Sequence, residues 1–105
     1  MNKIQNIDQY NELISQGQPL LLDFYADWCG PCQALLPTVE KLSDEYQGKV
    51  GIHKVNIEEV PELATLHKVR SIPNLVFIKD QEVVNTHVGL TGEKELRNQL
   101  DVLVS

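Results

Sequence analysis

Residues 20–37, LLLDFYADWCGPCQALLP, carry most of the information about the fold. The stretch begins with an apolar run of the kind that forms a strand buried on both faces of a sheet. It continues into WCGPC at residues 28–32 and then into apolar residues at helical spacing. We therefore predict a buried strand followed at once by a helix, with the only two cysteines of the chain at the junction.

The rest of the chain alternates between helical and strand patterns. A first helix is predicted from Ile7 to about Gly17, with Asn6 as its N-cap and Gln9 three residues later. The further predicted elements are a long helix from the cysteine motif to about Gly48 with a bend at Pro37, a strand in KVGIHKVNI, a short helix from Pro61, strands in NLVFIK and EVVNTHVG joined across Asp80-Gln81, and a last helix carrying Leu96, Leu100 and Leu103. This order predicts an α/β sandwich around a mixed sheet. The hairpin turn lacks the usual glycine, so its register stays open.

Length and composition predict a single domain spanning residues 1–105. The chain is too short for two independent cores, and 42% hydrophobic with 23% charged residues is typical of a globular protein. A net charge of −6 argues against a nucleic-acid partner, and no run approaches the length of a membrane helix. The N-terminal MNKIQNIDQYNELI has no apolar signal region, so we expect a cytoplasmic protein.

Three uses of the cysteine pair can be compared. A structural disulfide closing so short a loop would restrict the unfolded chain little, and the cytosol would keep it reduced. A metal site needs about four ligands, and His53, His67 and His87 are spaced 14 and 20 residues apart, which does not fit a local zinc motif. Redox chemistry is the remaining alternative, and the local layout favours it.

The predicted layout makes the two cysteines unequal. Cys29 falls at the start of a helix, where free backbone N–H groups and the helix dipole stabilise a thiolate. Cys32 faces the same side one turn later and is expected to be more buried. Gly30 lets a partner backbone approach closely, and Pro31 has a backbone suited to a first helical turn. We expect Cys29 to be an exposed nucleophile and Cys32 the thiol that resolves its product.

Asp23 is an unusual residue inside the apolar strand. Side chains alternate along a strand, so if both faces of the sheet are covered this carboxylate lies in the core. Burial would raise its pKa towards neutrality, where a carboxylate is useful for proton transfer. A solvated edge strand and a purely structural hydrogen bond are the alternatives. Lys54, in another apolar strand, is by itself most simply a surface residue with a buried stem.

Several motifs together resemble the thioredoxin family over essentially the whole chain. They are WCGPC, Asp23 in LLLDFYADW, Pro37, Lys54 in HKVNI, SIPN at residues 71–74 and VG at 88–89. The resemblance implies a thioredoxin fold, with a central mixed sheet flanked by four helices. It also implies a redox-active disulfide centre that reduces protein disulfides by dithiol–disulfide exchange.

The resemblance also implies roles for individual residues. Asp23 would lie beneath Cys32 and accept its proton, and Lys54 would lie near Asp23 and tune it. The Ile72–Pro73 bond would be cis, and the Ile72 backbone would pair with an extended substrate. The implied substrate-binding residues are Trp28, Gly30, Pro31, Ile72, Pro73, Val88 and Gly89.

The expected partners follow from the same resemblance. The chain would be a monomeric electron carrier with no bound cofactor or metal, acting on disulfide-containing proteins and recharged by thioredoxin reductase with NADPH. One alternative is a disulfide oxidase or isomerase, although such relatives usually carry histidine between the cysteines. Another is a non-enzymatic binding subunit. The sequence departs from the common family pattern at Tyr25, Val60, Asn74 and the hairpin turn.

Overall fold

The computed structural model describes residues 1–105 and contains five strands and four helices. They are β1 (Asn2–Lys3), α1 (Ile7–Ser15), β2 (Leu20–Tyr25), α2 (Gly30–Glu45), β3 (Gly51–Asn56), α3 (Pro61–Leu66), β4 (Asn74–Lys79), β5 (Glu82–Val88) and α4 (Glu93–Val104). The strands form one sheet in the order β1-β3-β2-β4-β5. β2 is parallel to β3 and antiparallel to β4, so the predicted α/β fold with a mixed sheet and four helices is confirmed.

Strand β2 is the centre of the sheet, and all six of its residues are buried. Leu20, Leu22 and Phe24 pack into a cluster that includes residues of α1 and α3. Leu21 faces the opposite side and packs with residues of α2 and α4. Two helices therefore cover each face, which is why this strand has an almost continuous apolar sequence.

The start of the chain contains one element that was not predicted. Strand β1 has only two residues, and it pairs in parallel with β3 through Asn2↔His53 and Lys3↔Lys54. Two residues are too few to show a period in the sequence. The predicted N-cap of α1 is confirmed, since Asn6 Oδ1 accepts from Gln9 N at 2.9 Å.

Helix α2 begins at the cysteine motif as predicted and continues without interruption through Pro37 to Glu45. The bend expected at Pro37 stays a prediction. Its apolar side, which includes Leu35, Val39 and Leu42, lies in the same cluster as Leu21 of β2. This packing fixes the N-terminus of the helix, and with it the cysteine pair, over the end of β2.

The hairpin between β4 and β5 turns at Asp80 and Gln81, with Lys79 paired to Glu82. Both turn residues have positive φ, 53° and 69°, as a type I′ turn requires. The register then shifts between Phe77 and Ile78, so the strands are not regularly paired throughout. The turn is therefore of type I′ although it contains no glycine. The sequence alone had left the register open.

We expect Gln81→Gly to raise the free energy of unfolding by about 0.5–1 kcal/mol, because glycine adopts positive φ without steric cost. Urea denaturation of the oxidised protein measures this. Gln81→Ala is the matched control, since both variants lose the exposed side-chain contact with the Ile14 carbonyl at 3.4 Å. Equal stability of the two variants would show that the turn is not strained at this residue.

Candidate active site

The cysteine pair lies at the N-terminus of α2. Cys29 is the N-cap of the helix, and its Sγ accepts a hydrogen bond from the backbone N–H of Cys32 at 3.2 Å. The Cα atoms are 5.2 Å apart and the two residues form a disulfide. Pro31 occupies the first turn, where the backbone N–H has no helical partner. The predicted placement of a reactive pair at a helix start is confirmed.

The exposure of the two cysteines differs in part from expectation. Cys32 is 1% exposed and is the more buried of the pair, as predicted. Cys29 is only 5% exposed, so the prediction of an exposed Cys29 is wrong for the disulfide form. The reason is tertiary: both cysteines pack with Tyr25 and Ala26, and Ile72 from a distant loop lies against this cluster.

Asp23 is buried on the face of the sheet that α2 covers. It lies between Leu21, which packs with α2 and α4, and Tyr25, which packs with the cysteine pair. The residue is 1% exposed, and neither carboxylate oxygen has a hydrogen-bond partner. The alternative of a solvated edge strand is therefore wrong, and no group of the protein makes the hydrogen bond of the other alternative. Burial raises the pKa of Asp23 to about 7, although attraction by Lys54 opposes the rise.

Lys54 is the direct neighbour of Asp23 on β3, as the resemblance implied. It is half-buried, and it forms none of the ion pairs in the chain. Its Nζ lies 5.7 Å from the centroid of the Tyr25 ring, within the range of a cation–π contact. The sequence analysis named Tyr25 only as a departure from the common family pattern and did not predict this contact. The sequence did contain a signal for this contact, since Tyr25 is an aromatic residue two positions after Asp23 on the same predicted strand.

The loop before β4 brings a second segment to the cysteine pair. The Ile72–Pro73 peptide bond is cis, as expected from the resemblance. The Ile72 carbonyl oxygen lies 3.8 Å from Cys29 Sγ, and the Pro73 carbonyl accepts from Gly89 N at 2.8 Å. Residues 72, 73 and 89, which are far from the cysteines in sequence, are thus connected at the same end of the sheet.

The surface around the pair includes exposed apolar side chains. Trp28 is 68% exposed, so it is not the core aromatic that its residue type alone would allow. Val88 is also exposed, and so is Leu90, which sequence reasoning did not include. Apart from its chain neighbours and the backbone of its own helix, a Cβ added at Gly30 would meet no atom within 4 Å, so the space above this residue is open.

The three histidines do not come together with other potential ligands. No group of three or more His, Cys, Asp and Glu side chains has the arrangement of a metal site. His67 instead contacts Tyr10, with its Nε2 3.0 Å from the tyrosine Oη, and its ring packs on Phe24. None of the four helices combines the length and hydropathy needed to cross a bilayer.

Comparison with known families identifies the chain. A family model described as Thioredoxin matches residues 2–102. The chain belongs to the thioredoxin family. It is 40% identical over 104 residues to the thioredoxin of Buchnera aphidicola subsp. Acyrthosiphon pisum, covering 96% of both chains. It is 38% identical over 96 residues to the thioredoxin of Rickettsia typhi, covering 91% of both.

Solved thioredoxin structures have the same fold. A mutant thioredoxin from Halobacterium salinarum superimposes with a TM-score of 0.90 at 36% identity, covering 99% of this chain and 90% of that one. Fasciola hepatica thioredoxin gives 0.89 at 33% identity, covering 97% and 98%. With its cysteine pair at disulfide distance, this thioredoxin-family chain is a thiol–disulfide oxidoreductase with protein-disulfide reductase activity. Members of this family need no bound cofactor, and the family implies disulfide-containing proteins as substrates.

Proposed function

We propose that Cys29 attacks protein disulfides, that Cys32 resolves the product, and that Asp23 accepts the proton of Cys32. The observation that carries this assignment is the hydrogen bond from Cys32 N–H to Cys29 Sγ at 3.2 Å. Such a donor at a helix N-terminus stabilises negative charge on the capping sulfur. Cys32 lies inside the helix, and its sulfur is not at the N-cap position. The two thiols therefore differ in reactivity.

The exchange proceeds in two balanced steps. In the reduced protein, the Cys29 thiolate forms a bond to one substrate sulfur, and the other substrate sulfur leaves as a thiolate. The Cys32 thiol then transfers its proton to the Asp23 carboxylate and attacks Cys29 Sγ. The mixed disulfide breaks, the substrate leaves as a dithiol after proton uptake, and Cys29 and Cys32 are joined. Two electrons have passed from the protein to the substrate.

Asp23 suits the proton transfer because its pKa of about 7 lets it take up and release a proton near neutral pH. No group of the protein forms a hydrogen bond to either of its carboxylate oxygens. We assign Lys54 a tuning function, since its positive charge lowers the pKa that burial raises.

Asp23→Asn removes the proton acceptor, so we expect resolution of a preformed mixed disulfide to slow about a hundredfold at pH 7. Stopped-flow release of a fluorescent thiol from the mixed disulfide measures this step. Asp27→Asn is the matched control, because it removes a nearby exposed carboxylate and should leave the rate unchanged. Equal slowing of both variants would contradict the assigned role.

Substrate docking is assigned to the surface around the pair. A substrate segment in extended form would pair with the backbone of Ile72, beside Cys29 Sγ. The other residues assigned to this surface are Trp28, Gly30, Pro31, Pro73, Val88 and Gly89. The exposure of Trp28 and the open space at Gly30 support contact with a partner there.

The remaining parts of the proposal concern the cycle as a whole. Residues 1–105 act as a single thioredoxin domain, supported by one sheet that contains all five strands. Thioredoxin reductase returns the disulfide to the dithiol with electrons from NADPH, in the cytoplasm, where such a donor is regenerated. The chain acts as a monomer.

The test is NADPH consumption with thioredoxin reductase and a disulfide protein such as insulin. We expect oxidation of NADPH to continue well beyond one equivalent of this chain, because the pair is recharged after each turnover. Insulin reduction driven by dithiothreitol separates the two parts of the proposal. Activity with dithiothreitol but not with the reductase would contradict the reductase partner, and inactivity in both assays would contradict the cycle.

A further inference from the structure

A row of charged residues crosses one face of the sheet next to the cysteine pair. Lys3 of β1 pairs with Lys54 of β3, and Lys54 pairs with Asp23 of β2. Directly paired residues project to the same face of a sheet, so two lysines and the buried carboxylate lie side by side. Leu75 of β4 and His87 of β5 continue the row on the other side of Asp23.

The two lysines have different partners. Lys3 Nζ lies 2.8 Å from a carboxylate oxygen of Glu59 and forms an ion pair with it. Lys54 forms no ion pair, although the Asp23 carboxylate is on the neighbouring residue and has no hydrogen bond. Its ammonium instead lies over the ring of Tyr25, 5.7 Å from the centroid.

We propose that Tyr25 is a positioning residue whose ring holds the Lys54 ammonium away from Asp23 and so prevents a direct ion pair between them. Neighbouring strands are about 4.8 Å apart and the lysine stem is flexible, so the ammonium could otherwise reach the carboxylate. The negative face of the ring offers it an alternative site. This inference deepens the proposed function and rests on the role of Asp23 in it.

The contact matters because a direct ion pair stabilises the charged form of a carboxylate. Attraction from Lys54 already lowers the pKa of Asp23 against the larger effect of burial, and closer approach would lower it further. Asp23 would then stay ionised at neutral pH and bind the Cys32 proton poorly. The ring would thus preserve a carboxylate that can be protonated during the cycle.

Further charged and titratable groups face this row from the neighbouring elements. From β1 comes Lys3, neutralised by Glu59. Burial raises the pKa of the Tyr25 hydroxyl, the positive charge of Lys3 opposes this rise, and the negative charges of Asp27, which is exposed after β2, and of Glu59 add to it. From α2 come the disulfide sulfurs, which do not titrate in the oxidised form, and from β4 comes the apolar Leu75.

The test is titration of the Asp23 carboxyl carbon by NMR in the oxidised protein. Tyr25→Phe keeps the ring and is expected to leave the pKa of Asp23 unchanged. Tyr25→Leu removes the ring, and the pKa is expected to fall by about 0.5 to 1. Lys54→Met removes the cation. The pKa of Asp23 should therefore be the same in Lys54→Met and in the double variant Lys54→Met/Tyr25→Leu.

A second readout follows the lysine itself. The ε-methylene protons of Lys54 should show an upfield ring-current shift in the wild type and Tyr25→Phe, and should lose it in Tyr25→Leu. An unchanged or higher pKa of Asp23 in folded Tyr25→Leu would overturn the proposal, and so would a fall that persists without Lys54. If Tyr25→Leu does not fold, Tyr25→Met decides, because its flexible apolar side chain also removes the aromatic face and should lower the pKa of Asp23.

The outcome is separable from that of the proposed function. The titration reports the protonation of Asp23 directly, whether or not Asp23 takes part in resolution. A normal rate for Asp23→Asn together with the expected fall in Tyr25→Leu would reject the proton-transfer role and retain the role of the ring.

Discussion

Cys29→Ser is expected to lower the reduction of protein disulfides by on the order of a thousandfold or more. A serine hydroxyl does not ionise near neutral pH, so the first bond to a substrate sulfur does not form. The loss should be a chemical one, because the N-cap hydroxyl of serine can still accept the Cys32 N–H that Cys29 Sγ accepts at 3.2 Å. Insulin reduction with dithiothreitol as electron source measures the effect.

Cys32→Ser is the matched comparison, since it removes the other sulfur and leaves the nucleophile in place. We expect it to accumulate a mixed disulfide with substrate that a mass spectrum detects as a covalent adduct. Cys29→Ser should form none. Adduct formation by Cys29→Ser rather than Cys32→Ser would reverse the roles, and normal turnover by Cys32→Ser would reject the two-thiol cycle.

The second large effect concerns stability and pH. The pKa of Asp23 rises from 3.8 to about 7 on folding, which corresponds to about 4 kcal/mol of stability. Between these values the unfolded chain is ionised while the folded chain holds the proton, so the contribution is favourable at low pH and is lost as pH rises. Above about pH 7 the folded protein carries a buried charge without a hydrogen-bond partner, and the full destabilisation is present.

Asp23→Asn has nearly the same volume and no titration, so it isolates this effect. We expect the free energy of unfolding of the variant, relative to wild type, to increase by about 4 kcal/mol between about pH 3.5 and 8.5. Urea denaturation of the oxidised proteins measures it. Asp27→Asn, at an exposed position, should give a nearly flat difference within about 0.5 kcal/mol. A flat difference for Asp23→Asn as well would mean that its pKa is not raised by folding.

Local patterns in the sequence were sufficient for most of the fold. The apolar run of β2 required cover on both faces, and Asn6 identified the start of α1. The hairpin turn lies at the position predicted from the sequence, Asp80-Gln81. These features depend on spacing, capping and turn chemistry within a few residues, so they are visible without knowledge of the rest of the chain.

Other features needed the whole fold. Strand β1 exists only because β3 lies beside it, and its two residues have no pattern of their own. Cys29 is buried because Ile72, from a loop far along the chain, packs on its cluster. The contact between Lys54 and Tyr25 depends on the pairing of β2 and β3.

By itself, the sequence determined a redox pair at the junction of a buried strand and a helix, with a carboxylate six residues before Cys29. Only the tertiary structure decided that this carboxylate is buried without a partner and that a lysine on the next strand lies over an aromatic ring. The physical reason is that burial and charge–charge contact depend on groups from different strands, and their distances are set only when the sheet assembles.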